Sequence, residues 1–125
     1  MEINDITGQI VDAAMKVHTA LGPGLLESVY EKCLLYELHR RELDAECQVG
    51  LPIRYGEVRI DSGLVIDMLV MNQVIVEVKA VDELSPIREA QLMSYLRLSD
   101  KRVGLLINFN VVHLRDGIKR FANKL

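Results

Sequence analysis

Apolar residues recur at helical spacing across residues 3–20, at Ile3, Ile6, Ile10, Ala13 or Ala14, Val17 and on to Leu21, which predicts a first helix. Gly22-Pro23-Gly24 ends it, because glycine admits positive φ and proline cannot continue a helix. Leu26, Val29, Tyr30, Cys33, Leu34 and Leu38 form the apolar face of a second helix over 25–42, and His39-Arg40-Arg41 suit its negative dipole end. The period then changes. Residues 47–55 read as a strand ending at a Tyr55-Gly56 turn, and 57–60 as a short strand before a turn at Asp61-Ser62-Gly63. Residues 64–71 and 74–80 are nearly continuous apolar runs joined at Asn72-Gln73, which suits strands covered on both faces. Ser85 as N-cap, Pro86 at the first helical position and Glu89 in the first turn predict a third helix to about Leu98. Val103 to Asn108 is another buried strand, 111–115 an edge strand, and Asp116-Gly117 leads into a basic last helix. The expected order is α-α-β-β-β-β-α-β-β-α, an α/β fold with a mixed central sheet flanked by helices.

Composition narrows the class. With 125 residues, 50% hydrophobic and 26% charged, the chain reads as one globular domain over 1–125, not a disordered or fibrous protein. No apolar run approaches the about 18 residues of a membrane span, so no membrane association is expected. The first residues carry acids and no base, unlike a secretory or mitochondrial leader. Cys33 and Cys47 fit neither a disulfide framework nor a zinc clip and read as free thiols of a reducing, cytoplasmic setting. The net charge of −3 argues at first against nucleic acid. Its distribution is uneven, however. Residues 86–125 hold eight Lys or Arg against three acids, a charge of +5, while the first 85 hold seven bases and 15 acids, a charge of −8. The basic stretch is either a solvated face or a phosphate-facing patch.

Two strands carry charges where their neighbours are apolar. In Val74-Ile75-Val76-Glu77-Val78-Lys79-Ala80, alternation puts Ile75, Glu77 and Lys79 on one face, with Glu77 and Lys79 about 7 Å apart. Asp67 interrupts Val65-Ile66-Asp67-Met68-Leu69 in the same way. A buried charge costs several kcal/mol unless it is paired or bound to metal. A hairpin turning at Asn72-Gln73 sets Asp67 opposite Lys79 or Val78, so Asp67 and Glu77 can approach each other. Converging carboxylates suit a hard cation, and a lysine beside them can orient or deprotonate a water. The simpler reading is an internal Glu77–Lys79 or Asp67–Lys79 ion pair with no ligand.

Asp67 followed by Glu77-Val78-Lys79 resembles the D…(D/E)-x-K signature of the PD-(D/E)XK nuclease superfamily, with Ile66 where the proline is usually written. Gly24-Leu25-Leu26-Glu27-Ser28-Val29-Tyr30 is an intact G-x-x-E-x-x-Y, and Gln91-Leu92-Met93-Ser94-Tyr95 is a Q-x-x-x-Y on the helix after the E-x-K strand. Together these resemble the GxxExxY family, a small-domain branch of that superfamily, over nearly the whole chain. The resemblance implies a restriction-endonuclease-like αβββαβ core. It implies Mg²⁺ or Mn²⁺ held by Asp67, Glu77 and the carbonyl of Val78, and Lys79 beside the attacking water. It implies Glu27 reaching the metal through water, and Gln91 and Tyr95 bracing Lys79 or touching a substrate phosphate. Gln91 and Tyr95 are four apart and share a helix face. Tyr30 reads as a core aromatic and His18 as a hydrogen-bonded structural residue, although related exonuclease domains carry a histidine ahead of the Asp.

The leading expectation is therefore a Mg²⁺- or Mn²⁺-dependent nuclease acting on DNA or RNA. The alternative is a non-catalytic module on the same scaffold that binds nucleic acid or a protein. A hydrolase of another phosphate ester is a third reading. So small a domain has little surface for gripping a duplex, so a homodimer or a protein partner is also expected.

Overall fold

The computed structural model describes residues 1–124. Two helices, α1 (Ile3–Leu21) and α2 (Glu27–Arg40), precede a hairpin of β1 (Ala45–Tyr55) and β2 (Val58–Val70). β3 (Val74–Lys79), α3 (Pro86–Ser99), β4 (Val103–Asn108), a 3-10 turn at Leu114–Gly117 and β5 (Ile118–Ala122) follow. One sheet has spatial order β1-β2-β3-β4-β5, with β3 and β4 parallel and the other neighbours antiparallel. The parallel pair is joined through α3, so α2-β1-β2-β3-α3-β4 is the expected αβββαβ core.

Both faces of the sheet are covered at its centre, where β3, β4 and the end of β2 are buried on both sides. Ile6, Ile10, Val17, Leu34 and Leu38 of α1 and α2 pack with Met68, Val76, Val78 and Ile107 on one side. Leu92 and Leu96 of α3 pack with Leu69, Ile75 and Leu106 on the other. α3 sits so close to the sheet that a Cβ at Gly104 would lie 2.9 Å from Leu92 Cδ1. The Gly22 break between α1 and α2 is real, with φ 71°.

Four expectations need correction. The segments 57–60 and 64–71 are one strand, and Asp61-Ser62-Gly63 runs extended through it. Gly63 serves close packing instead of a turn: a Cβ there would lie 2.5 Å from Ile53 across the hairpin. Residues 111–115 form bends leading into the 3-10 turn, not a strand. The last element is a strand paired to β4, not a helix. Ile118 and Phe121 are three apart, which mimics a helical face, yet odd spacing in a strand sends them to opposite layers, one to each core. Finally, the β2–β3 register pairs Met68 with Val76 and Val70 with Val74, centring the turn on Asn72. Asp67 then comes opposite Glu77, one residue from the expected position.

Candidate metal and phosphodiester site

The site lies where β2 leaves β3. Side chains two apart on a strand normally share a face, yet Ile66 packs in the α3-side core and Met68 in the opposite core. The change of face falls at Asp67. Across the hairpin Gln48 has φ 53°, and the Gln48–Asp67 pair drops out of the ladder between Cys47–Met68 and Val49–Ile66. The β2–β3 ladder also stops at Met68–Val76.

Side chains take over the missing rungs. The Asp67 N–H donates to Glu77 Oε2 at 2.9 Å, and the Val78 N–H donates to Asp67 Oδ2 at 2.8 Å. Each carboxylate thus spends one oxygen on the other's strand. Glu77 Oε1 and Asp67 Oδ1 accept no N–H among the described residues, and the two carboxyls lie within hydrogen-bonding reach of each other. In a strand the N–H and C=O of one residue point to the same edge. The Val78 carbonyl therefore faces the Asp67 side, whereas the Lys79 carbonyl faces β4 and accepts the Phe109 N–H at 2.9 Å.

The electrostatics match this crowding. Glu77 is 5% exposed. Burial, then the Asp67 charge, pushes its carboxyl up to about 8, against smaller opposing pulls from the Asp67 N–H and then Lys79. Among the described residues no ion pair joins Lys79 to either carboxylate, so the simple internal ion pair is not what the strand holds. Burial, then the Glu77 and Asp67 charges, raise the Tyr95 phenol on α3. Arg88 opposes that rise from the first turn of α3. Arg88, Gln91 and Tyr95, at i, i+3 and i+7, form one polar stripe of this helix. Gln91 is half-buried and makes no side-chain hydrogen bond among the described residues.

The G-x-x-E-x-x-Y segment builds the other wall. The buried Tyr30 hydroxyl donates to the Gly22 carbonyl at 2.6 Å and accepts the Leu25 N–H at 3.1 Å. Its ring stacks on Phe109 at 4.6 Å and 8°. This clamp sets the start of α2, where Glu27 Oε2 accepts the Ala80 N–H at 3.3 Å, just beyond Lys79. Glu27 is thus tied to the end of β3. His18 Nε2 lies 2.8 Å from the Val111 carbonyl, which can only accept, so His18 is a structural donor.

Sequence reasoning missed three contributors. Glu31, one turn after Glu27, accepts from Gln48 Nε2 at 3.0 Å. Burial, then Glu31 and Asp67, push the Cys47 thiol up to about 12, so an acidic rim runs along α2. Asn108, read only as the end of a buried strand, is buried and pairs with Lys79 in the ladder. Its amide binds both the N–H and C=O of Val81 at 3.1 and 2.9 Å. A buried amide at the end of an all-apolar strand was the available signal.

A sequence model of the PD-(D/E)XK nuclease superfamily matches residues 4–121. The chain belongs to this superfamily. The match spans every element that bears Glu27, Asp67, Glu77, Lys79, Gln91 and Tyr95, and the five-stranded mixed sheet flanked by helices is consistent with the superfamily's restriction-endonuclease-like fold. No curated protein and no solved structure matches the chain. PD-(D/E)XK proteins generally depend on a divalent metal. The donor set here fits such an ion: two carboxylates with one oxygen each not taken by an N–H, and a carbonyl turned toward them, are hard oxygen ligands. The described residues bring together no group of three ligating side chains, so water would complete the shell. No helix among them is long and apolar enough to cross a membrane.

Proposed function

We propose that the chain is a divalent-metal-dependent nuclease of the GxxExxY branch that hydrolyses phosphodiester bonds of DNA or RNA. The observation that carries this reading is the Asp67–Glu77 interlock. Two carboxylates share an opened rung of the sheet, each with an oxygen left over, beside a lysine paired with neither. Asp67, Glu77 and the Val78 carbonyl would hold Mg²⁺ or Mn²⁺, which would supply Lewis-acid polarisation of the phosphodiester and a more acidic water. Lys79 would orient that water and offset charge gathering on the phosphate oxygens. Glu27 would hold a proton of the water network from its post at Ala80. Gln91 and Tyr95, with Arg88, would bind a non-bridging oxygen. The water oxygen would bond to phosphorus and release a proton toward Glu27, one ester P–O bond would break, and the departing oxygen would take a proton back from the water network.

We further propose one functional domain over 1–125, working in the cytoplasm as a homodimer or with a protein partner. Purified protein should cleave a mixed panel of nucleic acids with Mg²⁺ or Mn²⁺ and stop with EDTA. Asp67→Ala and Lys79→Ala should abolish cleavage with unchanged circular dichroism. Equal cleavage by Lys79→Ala would sink the reading. The absence of a third ligating side chain among the described residues favours one other reading, a binding module without catalysis. Titration calorimetry with Mn²⁺ separates them: binding lost in Glu77→Ala supports the enzyme, and no binding at millimolar metal supports the module.

A further inference from the structure

A cleft of about 420 Å³ opens between the end of α1 and the segment after β4. His18, Thr19 and Gly22 form one wall, and His113 and Arg115 the other, with no carboxylate among its lining residues. It lies at the same end of the sheet as the carboxylate cluster. Asn108 pairs with Lys79, the chain reaches the cleft at Val112 four residues later, and His18 anchors the preceding Val111 carbonyl. On the other wall, Gly22 carries the carbonyl that Tyr30 holds, at the start of the loop that delivers Glu27.

The basic stretch after residue 85 is mostly engaged elsewhere. Lys119 pairs with Glu89, Lys124 with Asp100, Lys101 with Asn72, Arg120 with Asn4, and Arg97 with Ser94. Arg115 has no ion pair or side-chain hydrogen bond among the described residues, and it lines this cleft. A guanidinium in an acid-free cleft beside a hydroxyl and an imidazole is a set of donors with no anion of the protein's own to satisfy it.

We propose that this cleft binds a phosphate group of the nucleic-acid strand that passes the carboxylate cluster, with Arg115 as its charge partner and Thr19 and His113 as hydrogen-bonding partners. The inference rests on the nuclease reading for the identity of the strand, and it places one of that strand's phosphates at the β3–β4 end of the sheet. Guanidinium fits the paired oxygens of a phosphate, and a cleft of this size admits the attached sugar.

The test is anisotropy of a labelled single-stranded oligothymidylate in EDTA, which removes cleavage from the readout. Arg115→Glu should weaken binding by about tenfold at low salt, and Arg115→Gln should lower the slope of log K against log salt by about 0.7, one phosphate contact. Arg102→Glu makes the same charge change at the opposite end of the sheet, before β4, and should have the smaller effect. Arg115 is exposed, so the variants keep their fold, checked by circular dichroism. Equal weakening by Arg115→Glu and Arg102→Glu, or no oligothymidylate binding at all, overturns the assignment. An amide titration with inorganic phosphate supplies the second arm. Shifts at Thr19, His113 and Arg115 with phosphate that oligothymidylate cannot reproduce would assign the cleft to free phosphate and overturn the strand assignment. Arg115-dependent binding in a protein that never cleaves would leave the cleft standing and remove the nuclease reading. Cleavage with Arg115-independent binding would do the reverse.

Discussion

Replacing Glu77 with glutamine should stabilise the metal-free protein. Its carboxyl rises from an ordinary 4.5 to about 8 in the fold, because it is buried beside Asp67. A carboxyl with a raised folded-state pKa binds more protons folded than unfolded. Its stabilising share is therefore complete below pH 4.5 and is lost as pH climbs to about 8. From this shift the loss at pH 7 is about 3 kcal/mol relative to acid pH. Glu77→Gln removes the titration and keeps the local bonding: the amide oxygen can accept from the Asp67 N–H, and the amide nitrogen can donate to Asp67.

Urea denaturation in EDTA from pH 5 to pH 8 reads this directly. Between pH 5 and pH 7 the wild type should lose about 2–3 kcal/mol that the variant keeps, and at pH 7 the variant should melt roughly 10 °C higher. Mn²⁺ should reverse the order, since a ligand at about 100 times its Kd adds about 2.7 kcal/mol to the protein that binds it. Parallel pH profiles for the two proteins, or a variant less stable at pH 8, would refute the claim that the Glu77 carboxylate is held against its own solvation.

Tyr30→Phe removes the hydroxyl bonded to Gly22 and Leu25, costs about 1–2 kcal/mol, and should speed hydrogen exchange at the Ala80 amide by loosening Glu27. Asn108→Ala strands the N–H and C=O of Val81 and should cost about 2–3 kcal/mol by urea denaturation, with faster exchange at Val81. Gly104→Val forces a side chain into the Leu92 contact at 2.9 Å and should lower stability by about 1–3 kcal/mol in the same assay.

Much of the core was legible because its strands are short apolar runs between turn residues, and α1 and α2 show a clear helical period. Errors fell where one spacing serves two structures. Ile118 and Phe121 satisfy a helix at i, i+3 and a two-faced strand equally well, and only pairing with β4 decides between them. Asp61-Ser62-Gly63 has turn chemistry, but Gly63 is needed by Ile53 across the hairpin, a contact invisible along the chain. In the site, Asp67, Glu77 and Lys79 stood out because charge in an apolar strand conflicts with burial. Glu31, Gln48 and Asn108 did not, because each gains its meaning from a partner 17 or 27 residues away.

The interlock also explains why the G-x-x-E-x-x-Y segment and the Asp–Glu pair belong to one device. Opening a rung between β2 and β3 leaves N–H groups that must be satisfied, and the two carboxylates satisfy them with one oxygen each. That fixes both side chains without fixing their outer oxygens, which is what a cation site that keeps its waters requires. The β3 end loses its ladder to β2 after Met68–Val76 but stays paired with β4 to Lys79–Asn108, and only the chain just past it would be free to swing. Three contacts hold it: Phe109 on the Lys79 carbonyl, Glu27 on Ala80, and Asn108 on Val81. Tyr30 reaches two of them, stacking on Phe109 and setting the loop that presents Glu27. Tyr30 is the core aromatic its sequence position suggests, and through these contacts it also buttresses the strand end that carries Lys79. Its removal should loosen the lysine's strand end before it loosens the fold.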